Sequence, residues 1–174
     1  MIDNNTSLID DFFKVLTQNP EDHSTDCPQY RIWRAALIPE IRAQFSGTES
    51  TRKPFGPVGP LSLPYFEMGA VTSLDLFGLD ELILFAFYNA NRERYRRVVD
   101  FGTNLGLHTI VLARCGFDVR SFEPDPVHIT QLRYNLGLNE VETDLREAAV
   151  SLENGYAEFV RIKGNTTSSH LGGA

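Results

Sequence analysis

From Arg97 onward the apolar positions alternate between short continuous runs and helical spacing. Val98-Val99-Asp100-Phe101 reads as a buried strand. Leu107, Ile110, Val111 and Leu112 then share a helix predicted from Leu105 to Cys115, with Gly116 as its C-terminal stop. Asp118 to Phe122 reads as a second strand. Asp125-Pro126 opens another helix, the Asp as cap and the Pro at the first helical position. Ile129, Leu132 and Leu136 follow at helical spacing, and Gly137 is expected to end that helix. Leu145 to Val150 reads as a third strand. Tyr156 to Ile162 alternates and reads as a fourth, hairpinned to the third through Glu153-Asn154-Gly155. The order strand, helix, strand, helix, strand predicts an α/β fold with a parallel sheet. Gly164 to Ala174 has a loop composition.

Upstream the pattern is less regular. Ser7 to Leu16 places Leu8, Ile9, Phe12, Phe13 and Leu16 on one side of a short helix, and Thr17 to Pro28 reads as a polar loop. Tyr30 to Phe45 has helical spacing, but Pro39 should kink it or open a new helix. Ser46 to Pro60 reads as a loop or hairpin turn, Leu61-Ser62-Leu63 as a short strand, and Leu79 to Ala90 as a strong helix. The expected organisation is an irregular, mixed extension over 1–78 and a partial Rossmann-like unit over 79–174. A doubly wound sheet normally has about five or more parallel strands, so this reading expects only its first half, as in a fragment, a natural truncation, or a chain whose partner supplies the rest.

The net charge of −7 argues against broad nucleic-acid binding, which needs a basic surface. The run Arg92, Arg94, Arg96, Arg97 is broken by Glu93 and reads as a solvated face after a helix end. The two cysteines, Cys27 and Cys115, form no metal-binding pair, and the four histidines lack ligand spacing, so no metal is expected. Residues 1–5 lack the character of a signal peptide, and the longest apolar run, Leu82 to Phe87, is too short for a bilayer. These features predict a cytoplasmic protein without membrane or nucleic-acid partners. The sheet edge after the third strand invites pairing, so a homo-oligomer or a poorly behaved chain is expected.

The chemistry-bearing stretch is Asp100-Phe101-Gly102-Thr103-Asn104-Leu105-Gly106. Gly102 allows a tight turn and close approach of a ligand, and Gly106 lets the helix start pack on the strand. The helix N-terminus offers free amides to a carboxylate or phosphate. Glu123 follows Asp100 at the spacing of one strand-helix-strand unit, where a carboxylate can accept from both ribose hydroxyls. The dinucleotide fingerprint is G-x-G-x-x-G, whereas here an acid precedes the first glycine and Asn104 stands where the second would be. Asp100 sits badly beside a pyrophosphate. It suits a cationic amino group, such as that of S-adenosylmethionine. The plainer alternative is that the glycines only make a turn, capped by Asp100.

The chain also resembles the FkbM-type methyltransferases, a branch of the class I S-adenosylmethionine-dependent enzymes. The resemblance lies in Val98 to Leu107, Phe122-Glu123-Pro124-Asp125-Pro126, Asn135-Leu136-Gly137-Leu138-Asn139, and Ala148-Ala149-Val150-Ser151 with Gly155 soon after. These motifs occur in the family's order and cover roughly Leu79 to Phe159. The resemblance implies that Asp100, Gly102, Asn104 and Gly106 line the methionine and ribose. It implies that Glu123 holds the ribose hydroxyls, with Pro124 and Asp125 beside the adenosine and Ala148 near the adenine. In the lead-in segment Phe77 to Leu82, Glu81 would lie near the cofactor end of the sheet. The implied reaction is methyl transfer to a hydroxyl oxygen of a sugar or natural product. The sequence departs in two ways: Thr103 replaces a common alanine, and a Lys-Ile-Asp-x-Glu-Gly-type motif, expected near the transferred methyl, is not reached.

No catalytic residue is assigned. His108 is weighed as a general base against a structural or partly exposed histidine, and the latter is favoured. His128 is expected to face solvent; His23 and His170 sit in loops. Asp125 and Asp144 read as a helix cap and a strand-edge residue. Tyr65, Phe66 and Met68 could cover the cofactor or serve as core contacts. Two rival functions stay open: a truncated, non-catalytic cofactor- or partner-binding module, and an NAD-dependent oxidoreductase, which the missing glycine and Asp100 disfavour.

Overall fold

The computed structural model describes residues 8–16, 18 and 20–172. Ser7 at the start of the expected first helix, residues 1–5 and the last two residues lie outside them. Three helices come first: α1 (Leu8–Leu16), α2 (Pro28–Phe45) and α3 (Leu79–Ala90). An alternating unit follows: β1 (Arg97–Phe101), α4 (Leu107–Arg114), β2 (Asp118–Phe122), α5 (Pro126–Leu138) and β3 (Asp144–Arg146). The three strands form a parallel sheet in the order β1-β2-β3. The described residues are therefore α/β with five α-helices and a three-stranded parallel sheet, an arrangement compatible with a Rossmann-like fold. Among the described residues no helix is long and apolar enough to cross a membrane.

The helices follow their apolar stripes. Ile9, Phe12, Phe13 and Leu16 are the buried side of α1, one helical stripe. α2 begins earlier than expected, with Pro28 in its first turn, and runs unbroken through Pro39. Pro39 and Ala35 are both exposed, so the carbonyl that Pro39 leaves without a donor sits on the solvent side. One apolar core runs from α1 to α5. Its centre is an aromatic group in which Phe77 stacks on Phe45 at 4.6 Å and meets Phe55 edge-on at 5.8 Å. Leu61 makes a single bridge with Lys53 in place of the expected strand.

Several expectations about the sheet are corrected. β1 is not buried: it is an edge strand with alternating exposure, and Val99 and Phe101 are half or more exposed. One face of the sheet, carrying Val98, Val119 and Leu145, joins the core. The other face is open and carries the pairs Arg97–Asp118, Arg120–Asp144 and Arg146–Asp144 beside Phe101 and Phe122. The third strand ends at Arg146, because the Ala148 N–H turns back to the Arg146 carbonyl. No hairpin joins the third and fourth strands. Instead β4 (Phe159–Val160) pairs antiparallel with β5 (His170–Leu171), within the segment expected to be loop, and a 3-10 turn over Thr166–Ser168 lies between them. α4 starts two residues later than expected, and α5 runs through Gly137 to Leu138.

Candidate functional site

The loop between β1 and α4 reverses the chain through three left-handed residues: Gly102 (φ 72°), Asn104 (φ 55°) and Gly106 (φ 88°). Asparagine tolerates this region better than other residues with a side chain, which suits it to the middle position. A Cβ at Gly106 would be strained at this φ and would push against the tip of the Leu132 side chain, so glycine suits the position. The loop is tied down from three sides. The Gly102 and Thr103 N–H groups donate to the Phe122 carbonyl at 2.9 and 3.1 Å. Asn135, buried on α5, donates to the Leu105 carbonyl at 2.8 Å. The third tie is Glu123.

Glu123 closes β2 and is 4% exposed. Its Oε2 accepts from the Asn104 N–H at 2.7 Å and its Oε1 from the Asp125 N–H at 2.9 Å. The carboxylate therefore joins the loops after β1 and β2. It keeps spare lone pairs for a ligand, since a carboxylate offers about four acceptor sites. Next to it, Asp125 caps α5 by accepting from the Val127 N–H at 2.8 Å, and Arg161 donates to its other oxygen at 2.7 Å. Gly102, Asn104, Glu123 and Pro124 line one cavity of about 170 Å³. Pro124 also lines a neighbouring cavity of about 550 Å³ that holds Ala148. Asn104, which lines the first, carries a buried Oδ1 acceptor with no hydrogen-bond partner.

Asp100 and Glu81 line neither cavity. Asp100 accepts from the Thr109 hydroxyl at 2.6 Å, and Glu81 contacts His108 Nε2 at 2.8 Å. Both carboxylates act on the Tyr88 phenol, which burial first, and then these charges, push up to about 12. Among the described residues neither acid is paired with lysine or arginine. A separate cleft of about 300 Å³, lined by Phe13, Pro57, Ala90 and Arg92 among others, shares no residue with the site.

The other wall of the first cavity comes from Phe159, Thr166, Thr167 and Ser169, which were not singled out as site residues in the sequence. Thr166 is buried; its hydroxyl donates to the Met68 carbonyl at 3.1 Å and so accepts from His128 Nε2 at 2.9 Å. His128 is thus buried at 3% exposure, not solvent-facing. A signal was present: His128, Leu132, Asn135 and Asn139 lie at i, i+4, i+7 and i+11, one face of α5 continued into its C-cap, and all four are buried. Met68 is a buried contact that receives this wall.

Burial pushes the His128 imidazole below its ordinary value of 6.5 and Arg161 adds to this, while Asp125 and Glu123 oppose it. Below that ordinary value the unfolded chain binds the proton more readily than the folded one. The contribution of neutral His128 to stability is therefore full above about pH 6.5 and is lost as pH falls through the depressed folded value. We expect the melting temperature of a His128→Asn variant to fall less between pH 7 and pH 5 than that of the parent. Parallel slopes in scanning calorimetry would reject this. Comparison with protein-family models and with curated proteins finds no match to this chain.

Proposed function

We propose that the protein binds S-adenosylmethionine and serves methyl transfer to a hydroxyl oxygen of a sugar or other small molecule. The observation that carries this reading is the cavity between the β1 and β2 loops lined by Gly102, Asn104, Glu123 and Pro124, with the Asn104 Oδ1 acceptor left without a partner. A buried acceptor without a partner is costly, and a hydroxyl or amine donor from a ligand would satisfy it. Glu123 is held by two backbone amides and keeps acceptor capacity, which suits ribose hydroxyls. The partly exposed Asp100 and Glu81 lack a lysine or arginine, which suits the ligand's α-ammonium group. Pro124 and Ala148 extend the site toward the region expected for the base.

When bound, the cofactor supplies an electrophilic methyl group on a sulfonium. The protein's own residues hold its two polar ends, and orienting the acceptor in line is then the main contribution to rate. The test is calorimetric titration with S-adenosylhomocysteine, alongside Asn104→Gly. Glycine accepts φ 55° without strain, so this variant removes the amide and leaves the loop intact. Saturable binding by the parent, weakened about ten-fold in Asn104→Gly at unchanged stability, is the expected result. No binding by a cooperatively melting parent would end this reading.

A further inference from the structure

Tyr88, His108 and Glu81 form a hydrogen-bonded row. Tyr88 Oη lies 3.0 Å from His108 Nδ1, and His108 Nε2 lies 2.8 Å from Glu81 Oε2. Tyr88 and Glu81 are on α3 and His108 is in the first turn of α4, so the row crosses from helix to helix. With its pKa pushed up to about 12, the phenol keeps its proton and so can donate to the ring. A neutral imidazole has one donor and one acceptor nitrogen. A Tyr88 hydroxyl donating to Nδ1 therefore places the ring proton on Nε2, which donates to Glu81. Phe85 packs edge-on against the ring at 4.9 Å and limits its rotation.

This row has consequences for both of its ends. With both nitrogens engaged, His108 has no free lone pair for an acceptor hydroxyl and is not the base. The bond from His108 is the largest influence holding the Glu81 carboxyl below the usual carboxylate range, and burial opposes it. Glu81 Oε1 carries no hydrogen bond among the described residues.

We propose that Tyr88 and His108 are positioning residues: they tie one Glu81 oxygen so that the other is presented, ionised and in a fixed rotamer, to the α-ammonium group of the ligand's amino-acid end. The inference rests on the cofactor reading above. A pre-oriented carboxylate binds a cation more tightly because less side-chain freedom is lost on binding.

The test compares two ligands on the full chain. S-adenosylhomocysteine carries the amino-acid end; 5′-methylthioadenosine shares the nucleoside and thioether but lacks it. His108→Ala is expected to weaken the first on the order of ten-fold, with Tyr88→Phe weaker in effect, and to leave the second unchanged. His108→Gln, whose amide can donate to Glu81, should recover part of the loss. Nitrogen NMR of the histidine-labelled parent should show the proton on Nε2, with that preference lost in Tyr88→Phe. Equal losses for both ligands, or none for either, would overturn the positioning role while the cofactor reading stands. A proton found on Nδ1 would overturn the row directly, and a parent that binds neither ligand would remove the cofactor reading and the role with it.

Discussion

Glu123→Ala is expected to cost about 2–5 kcal/mol of folding stability and to abolish binding of S-adenosylhomocysteine. Two amide donors, the part-buried one of Asn104 and the buried one of Asp125, lose their shared acceptor. Each unpaired donor costs on the order of 1–3 kcal/mol, and the loops after β1 and β2 lose their common tie. Glu123→Gln should fall between, because it keeps one oxygen but turns an amide N–H₂ toward a backbone N–H. Urea unfolding separates the roles that a binding experiment would merge. Full stability with lost binding would make Glu123 a ligand contact only, and the account of the loop given above would fail.

Phe77→Ala is expected to destabilise by about 3–5 kcal/mol, a large part of the total for a domain of this size. Phe77 is wholly buried, stacked on Phe45 and edge-on to Phe55. Those rings come from the end of α2 and the 46–60 loop, so they cannot close on the cavity without moving separate segments. Phe55 meets Phe85, and Phe85 meets His108, so the vacancy would also loosen the support of the Tyr88–His108–Glu81 row. Denaturant unfolding should show a lowered midpoint with an unchanged slope. A loss below about 1 kcal/mol would mean that the aromatic group repacks freely.

The parts of the fold visible in the sequence are those whose determinants are local. α3 and β2 have the bounds expected from their apolar patterns, and Asp125-Pro126 caps α5 by side-chain chemistry that needs no tertiary partner. The environment of β1 was not legible. Val98, Val99 and Phe101 read as a strand covered on both faces, but a strand's neighbours are written elsewhere in the chain, and here only β2 lies beside it. The β4–β5 pair was missed for the same reason: Phe159 and Leu171 are brought together by contacts of the 164–166 segment with Met68 and Ala70, far away in sequence. In the site, the glycine turn and Glu123 were evident from spacing, whereas Thr166 and His128 depend on that long-range docking.

The unequal length of the strand pairings gives the site two ends of different firmness. β2 is matched to β1 over five residue pairs but to β3 over only three, and among the described residues β3 has no further strand beside it. Local opening of the sheet therefore costs least on the β3 side. Ala148 follows that strand, while Gly102 and Asn104 follow the better-paired one. A ligand spanning both would meet a pre-set cradle at one end and would have to order its own wall at the other. Its affinity would then be limited by the entropy of that ordering step more than by the contacts it gains there.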